Sequence, residues 1–378
     1  MAQNEFLPLC DVLFNIISLA SYFCDIVFDL VMGYALMERG RTFWFIVTLM
    51  FVALSLTISQ VVSLRWYLHG SAGGGSGALV KRLGRAGVVA LHCAQLGVLW
   101  RYFKLFLPCD LRFVKYEVRD LCMLRLVHAF CQAAPMLLVQ LYLLMEDAAD
   151  LREFRDLNVV SVSLSLFSVC WALASFSKNV RMHNVHKLVL TWLGVIFQLF
   201  WRLGTVSGRA VCLVAYALLY RHWVLLVILL HWFCMFLWLV SPNNLFHRER
   251  LSRPRKATLC SLIAFVYVFA YINLQEANHR PKMVTFYGVM AIENSVLMYS
   301  WYSGTPGSGQ TLPLTALAVF LIGLLFMFLY YRYFHVRRLK YEAGGRLNGP
   351  PLAMPLTPDA KVTYRSVTSP WGSGWCGR

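Results

Sequence analysis

Arg125, His128 and Gln132 stand three and then four residues apart in an apolar stretch running from Asp120 to Tyr142. That spacing puts all three on one face of a helix. Asp25 and Asp29, four apart in an earlier apolar stretch, share a face in the same way. Arg202 and Arg209 lie seven apart, two turns on one face. Asp11, Lys178 and Glu293 occur in further apolar stretches. What such a set can do depends on its solvent. In water it is a solvated stripe. In hydrocarbon one carboxylate costs at least about 2.5 kcal/mol, so it must face protein or water. Acids of the first and ninth apolar segments are then expected to meet bases of the fourth, fifth and sixth. Asp29 is expected to pair with Arg125 or Arg209. A single pair is a staple; several polar positions on several helices make a track.

Covalent chemistry has little support. There is no Walker loop, no Gly-x-Ser-x-Gly elbow and no His-Glu-x-x-His. His92, His128, His183, His186 and His231 are scattered, without a Cys/His ligand set. No enzyme, metal or cofactor is expected. Several of the eleven cysteines, such as Cys24, Cys131, Cys170, Cys212 and Cys234, sit inside apolar segments as small hydrophobes.

The elements that position these residues follow from composition. The 378 residues are 59% hydrophobic and 14% charged, with a mean hydropathy of +0.58. A soluble domain carries about 25% charge. The apolar residues sit in long uncharged blocks such as Thr42–Leu64, Leu157–Ser177, Ala257–Gln275 and Leu312–Tyr331. Each approaches or exceeds the ~20 residues that span a bilayer. The blocks do not alternate with period two, which excludes a β-barrel. The first block lacks a basic leader region and carries acids, so it reads as a span. Ten helical segments are expected, at about 8–34, 42–67, 86–107, 119–145, 156–177, 187–219, 222–240, 257–275, 283–302 and 312–335.

The net charge of +17 falls largely in connecting blocks and the tail: Lys81 to Arg85, Lys178 to Lys187, Arg248 to Lys256 and Arg337 to Lys340. Spans separate these clusters, so nucleic acid is a poor fit, and the positive-inside rule explains them better. Ten full crossings would put the two central basic loops outside and the acidic Glu146–Asp156 loop inside. If segment three or four only dips into the membrane, all three come right. A second partial segment, eight or nine, then returns a basic tail to the cytoplasm. The expectation is an all-α polytopic membrane protein with about eight spanning and two re-entrant segments in two pseudo-symmetric halves. The halves are 1–185 and 186–340, with both termini cytoplasmic, and 341–378 reads as a disordered tail. Ser71–Gly77 reads as a flexible linker.

The run Leu124-Arg125-Leu126, then Ala133-Ala134-Pro135, then Gln140-Leu141-Tyr142 resembles the signature of the XK-related membrane proteins. Ser63-Leu64-Arg65-Trp66, Leu91-His92, Gln95-Leu96-Gly97, Trp171-Ala172-Leu173, Met283 to Tyr287, Glu293-Asn294 and Tyr330-Tyr331 with Phe334-His335 agree in order. The resemblance covers about residues 10–336. It implies eight spanning and two half-entering helices, and phospholipid scrambling that exposes phosphatidylserine at the plasma membrane of dying cells. It also implies partners: a single-span membrane protein or a lipid-transfer protein. Polar residues lining the lipid path of scrambling members map onto Asp11, Asp25, Asp29, Lys178, Arg209 and Glu293. Two family glutamates are His128 and Gln132 here, and a family acid after Trp-Ala-Leu is Ser175. The tail has no Asp-x-x-Asp caspase site; Asp147-Ala-Ala-Asp150 fits that pattern but falls in the acidic loop.

The expected function is therefore ATP-independent movement of phospholipids between leaflets. Acids would handle amines, and Arg125, Arg202 and Arg209 would handle phosphates. The rival expectations are a membrane anchor that docks a lipid-transfer protein, and a solute transporter.

Overall fold

A computed structural model describes residues 4–5, 9–69, 76–106, 109–146, 152–179, 192–241, 253–272, 279–305 and 311–335. The order is α1 (Leu9–Glu38), α2 (Thr42–His69), α3 (Ser76–Cys93), α4 (Gly97–Phe106), α5 (Leu111–His128), a π-helical turn (Ala129–Ala133) and α6 (Ala134–Glu146). There follow α7 (Arg152–Asn179), α8 (Trp192–Tyr220), α9 (Trp223–Val240), α10 (Arg253–Tyr267), α11 (His279–Gly304), α12 (Thr311–Leu329) and a second π-helical turn (Tyr330–His335). Two two-residue strands, Asn4–Glu5 and Cys109–Asp110, pair antiparallel. The protein is an all-α polytopic membrane protein. Among the described residues, seven helical stretches are long and apolar enough to cross a bilayer: Val12–Glu38, Thr42–Leu68, Glu117–Glu146, Arg152–Ser177, Leu193–Tyr220, Trp223–Val240 and Thr311–Phe334. The 26-residue α11 has the length of a span, and Glu293 and Asn294 at its middle lower its hydropathy.

The third and eighth expected segments do not form single crossing helices. Residues 86–107 divide at Ala94–Leu96, where Gln95 takes a positive φ of 62°. Gly97 restarts the chain as α4, and a Cβ there would overlap the His92 ring. The backbone also kinks at Gly84 (φ 72°), so each limb of this hairpin is a regular helix of only about 15 Å, half a hydrocarbon core. In the other segment α10 stops at Tyr267, and Val268–Ile272 follow as buried non-helical chain. The expectation of helix to residue 275 is corrected to residue 267. Of the alternatives left open by charge, segments three and eight are the ones whose helices are broken or cut short. The fourth segment begins earlier than expected, at Leu111, and carries the π-helical turn.

Packing explains the rest. α8 lies against α12 through Gly204 and Gly323, whose backbones touch; a Cβ on Gly204 would come within 2.6 Å of Gly323 Cα. The largest core joins α5–α8 to α10–α12, and Phe130 in the π-helical turn packs edge-on to Phe265 of α10, 6.5 Å between centroids. Leu225, Leu229, Leu321 and Leu325 on α9 and α12 are exposed, as helices facing lipid require. The tail 341–378, residues 71–75 of the linker, the Asp147–Asp150 motif and most of both central basic loops lie outside the described residues.

Candidate functional site

The α1 stripe is polar for most of its length. Asn15, Ser18, Ser21, Asp25 and Asp29 recur every three or four residues and are all buried. On α7 the matching stripe is Asn158, Ser161, Ser165, Ser168 and Ser175, each at most 1% exposed. From 158 to 175 that stripe runs about 25 Å, most of a hydrocarbon core. α5, the π-helical turn and α6 close the third side with Arg125, His128, Gln132 and Gln140. The result is a polar column between α1, α5–α6 and α7, sealed from lipid.

Its bonds form a chain. The Nε2–H of His128 donates to Asp25 Oδ2 at 3.1 Å, and Ser55 Oγ on α2 donates to His128 Nδ1 at 2.9 Å, the tautomer that satisfies both neighbours. Ser165 and Ser168 donate to the two Asp25 oxygens, each at 3.2 Å. Asp29 accepts from Gln132 Nε2 at 2.8 Å and Gln140 Nε2 at 2.7 Å. The expected pairing of Asp29 with Arg125 or Arg209 is thus overturned. Two neutral amides meet the carboxylate, because the π-helical turn and α6 bring Gln132 and Gln140 to it, while Arg125 sits more than one turn away. Arg125 Nη2 donates instead to Ser21 Oγ at 2.6 Å and Ser168 Oγ at 2.9 Å. Arg125 Nε and Nη1, Gln132 Oε1, both polar atoms of Asn158, Ser161 Oγ and Ser175 Oγ are buried without a partner.

The second polar cluster lies among α8, α9, α10 and α11. Arg209 Nη2 donates to Glu293 Oε2 at 2.8 Å and Nη1 to Asn294 Oδ1 at 2.8 Å. Here the expected meeting of segment nine with segment six is found. Arg209 Nε also donates to the Val268 carbonyl at 3.3 Å, and Arg202 Nη1 to the Tyr271 carbonyl at 2.7 Å. Tyr267 Oη donates to the Ile272 carbonyl at 2.9 Å. His231 Nδ1 meets Glu293 Oε2 at 2.7 Å, while its Nε2 faces the Tyr267 carbonyl at 3.1 Å. Both ring nitrogens face acceptors, so both contacts are hydrogen bonds only when the ring carries two protons. These four side chains satisfy the carbonyls that α10 leaves open where it breaks inside the bundle.

Beside this cluster a cleft of about 300 Å³ opens between α8, α11 and α12, lined by Cys212, Asn294, Met298, Tyr299, Leu317 and Phe320 among others. Its lining is mainly apolar, and Asn294 Nδ2 is buried without a partner.

A third polar group secures the hairpin of α3 and α4. Arg101, fully buried, reaches Ser63 Oγ at 2.9 Å and Glu117 Oε2 at 3.2 Å, with its guanidinium 4.2 Å from the Tyr67 ring centroid. Ser63 Oγ also meets His92 Nε2 at 3.0 Å. Sequence reasoning missed Arg101, Gln140, His231, Asn294 and the α7 hydroxyl stripe. The stripe's helical spacing and the lone arginine in an apolar segment were the available signals. Asp11 and Lys178 belong to α1 and α7 by their backbone, and their side chains lie outside the described part.

No group of three or more His, Cys, Asp or Glu side chains is disposed to hold a metal among the described residues. The column holds carboxylates, an imidazole and a guanidinium in a low-dielectric interior, which suits passage or binding of a charged group. The family model described as XK-related protein matches residues 13–336.

Proposed function

The chain belongs to the XK-related family, and from that premise we propose that it moves phospholipids between the leaflets of the plasma membrane without ATP. The observation that carries this reading is the sealed polar column between α1, α5–α6 and α7, with its buried polar atoms left without partners. Hydrocarbon rejects a headgroup by its charge, and a polar groove removes that barrier while the acyl chains stay in lipid. In the closed column the serines, His128 and the two glutamines occupy the positions that a headgroup takes during passage. Exposure of phosphatidylserine in dying cells, followed by engulfment, is the physiological form of this activity that the family supports. The apolar cleft beside Asn294 gives acyl chains a resting place at the protein surface.

A second reading is favoured by the closure of the column: a membrane anchor that docks a lipid-transfer protein or a single-span partner and transports little itself. Purified full-length protein in liposomes, with a fluorescent phospholipid and an external quencher, separates the two. Quenching beyond the outer-leaflet fraction is expected. Quenching limited to that fraction, in protein that is folded and correctly inserted, leaves the anchor reading.

A further inference from the structure

Four arginines are buried in the described bundle: Arg101, Arg125, Arg202 and Arg209. Arg101 is bound by Ser63 and Glu117 and flanked by Asp120. Arg202 holds the Tyr271 carbonyl and lies 4.2 Å from the Trp201 ring centroid. Arg209 is bound by Glu293, Asn294 and the Val268 carbonyl. None of these three has a buried nitrogen without a partner, and each is occupied in holding a hairpin or a broken helix. Arg125 differs. It is 2% exposed, yet among the described residues no carboxylate is bonded to it, and one of its three nitrogens makes both of its hydrogen bonds. Nε and Nη1 are buried and unbonded. A buried guanidinium left this way is costly, and its fork of N–H groups matches the oxygens of a phosphate.

The surroundings fit the same ligand. Ser21 and Ser168 hydroxyls already converge on the guanidinium and can turn to donate to an anion. The Tyr22 ring centroid is 5.7 Å from the guanidinium carbon, giving an aromatic wall. Asp25 stands one turn further along α1 than Ser21, about 6 Å away along the axis. It is tied to the same Ser168 that binds Arg125. A cation receiver and an anion receiver at that separation suit a headgroup carrying both a phosphate and an amine.

We infer that Arg125, with Ser21 and Ser168, is the docking point for the phosphodiester of a lipid headgroup within the polar column, and that Asp25 receives the headgroup amine. The inference rests on the scrambling reading and narrows it: of the three arginines expected to handle phosphate, Arg202 and Arg209 serve the non-helical backbone that follows α10, and Arg125 serves the ligand.

The test uses full-length protein in liposomes with two probes that share a fluorophore. One is NBD-phosphatidylserine; the other is NBD-glucosylceramide, which has no phosphate. The reading is the ratio of their transport rates. Arg125→Gln is expected to lower that ratio about tenfold, the loss of one charge-assisted contact. Arg125→Lys, which keeps the charge without the fork, is expected to fall between. A ratio unchanged in both variants overturns the inference. If Arg125→Gln does not insert, an unchanged ratio in the lysine variant suffices to overturn it. Millimolar inorganic phosphate on both sides should leave the ratio as it is; competition by it makes the ligand a soluble phosphate and overturns the lipid assignment. Wild-type protein that moves neither probe refutes the scrambling reading itself, and this inference with it.

Discussion

The two polar clusters are built from similar side chains and are bonded in opposite ways. Around α10, Arg209 meets the Glu293 carboxylate charge with charge, and Arg202, Arg209 and His231 reach backbone carbonyls where the helix breaks. Between α1 and α7, Asp25 and Asp29 are met by two serines, one histidine and two glutamines, and Arg125 by two serines. Neutral partners exchange for a polar ligand at smaller cost than a fixed counter-charge does, because a headgroup offers equivalent hydrogen bonds. Ion pairs that also close backbone groups do not, since each is part of the fold. On the proposed function, the first cluster is a clamp and the second is a lining.

The largest effect should come from breaking the clamp. Arg209→Ala leaves Glu293 without its guanidinium and uncovers the Val268 carbonyl. Loss of one side of a buried pair costs about 3–5 kcal/mol, and the 30% exposure of the Glu293 side chain puts this case toward the lower end. The variant should express poorly and elute as aggregate in size-exclusion chromatography. Arg209→Lys should recover part of the yield by restoring the charge without the fork. A well-behaved Arg209→Ala protein of wild-type melting temperature would remove the distinction between the clusters.

Next comes the packing that holds the clamp's helix. Gly204→Leu places a side chain where Gly323 backbone already lies. Overpacking of this kind costs about 1–3 kcal/mol, more where backbones cannot part. Gly288→Ala, with nothing within 4 Å of the new Cβ, is the matched control and should melt like wild type. Equal behaviour of the two would show that α8 and α12 are free to separate.

Both clusters were legible in the sequence as sets of ionisable residues in apolar helices, and the Arg209–Glu293 meeting follows from hydrocarbon electrostatics alone. The partner of Asp29 was not legible. Pairing acid with base is the natural expectation, and it fails because the extra residue of the π-helical turn sets the face that Gln132 and Gln140 present. Period-3.6 reasoning has no access to such a turn. The ten-segment outline was legible to within a few residues at most ends, since long apolar blocks are its cause. The break in α10 was not, because Tyr267 to Ile272 are as apolar as what precedes them. The carbonyls at the break are taken up by the distant Arg202, Arg209 and His231 and by Tyr267 itself, a set that apolar patterning does not reveal.

Asp29→Asn is the third test and acts inside the lining. The carboxylate accepts two amide donors, and an asparagine keeps one acceptor oxygen. One bond of the pair becomes amide facing amide, at about 1–3 kcal/mol. The protein should fold, with a lower melting temperature than wild type and a smaller loss than Arg209→Ala. A loss as large as that of Arg209→Ala would mean that Asp29 belongs to the clamp class.

The smallest effect is expected at Ser55. Its hydroxyl donates to His128 Nδ1. Ser55→Ala leaves that nitrogen without a donor while the His128–Asp25 bond at Nε2 stays in place. Single interhelical hydrogen bonds in membranes average about 0.6 kcal/mol, with a ceiling near ~1.7. The melting temperature should therefore fall only slightly. Ser63 offers the sharper contrast, because its hydroxyl accepts from Arg101 and also meets His92 in the α3–α4 hairpin. Ser63→Ala removes two contacts, one of them to a buried cation, and should cost more than Ser55→Ala in the same melting experiment. If the order is reversed, the His128 relay is held as rigidly as the hairpin. The column would then be a staple in the bundle, with no freedom to receive a headgroup.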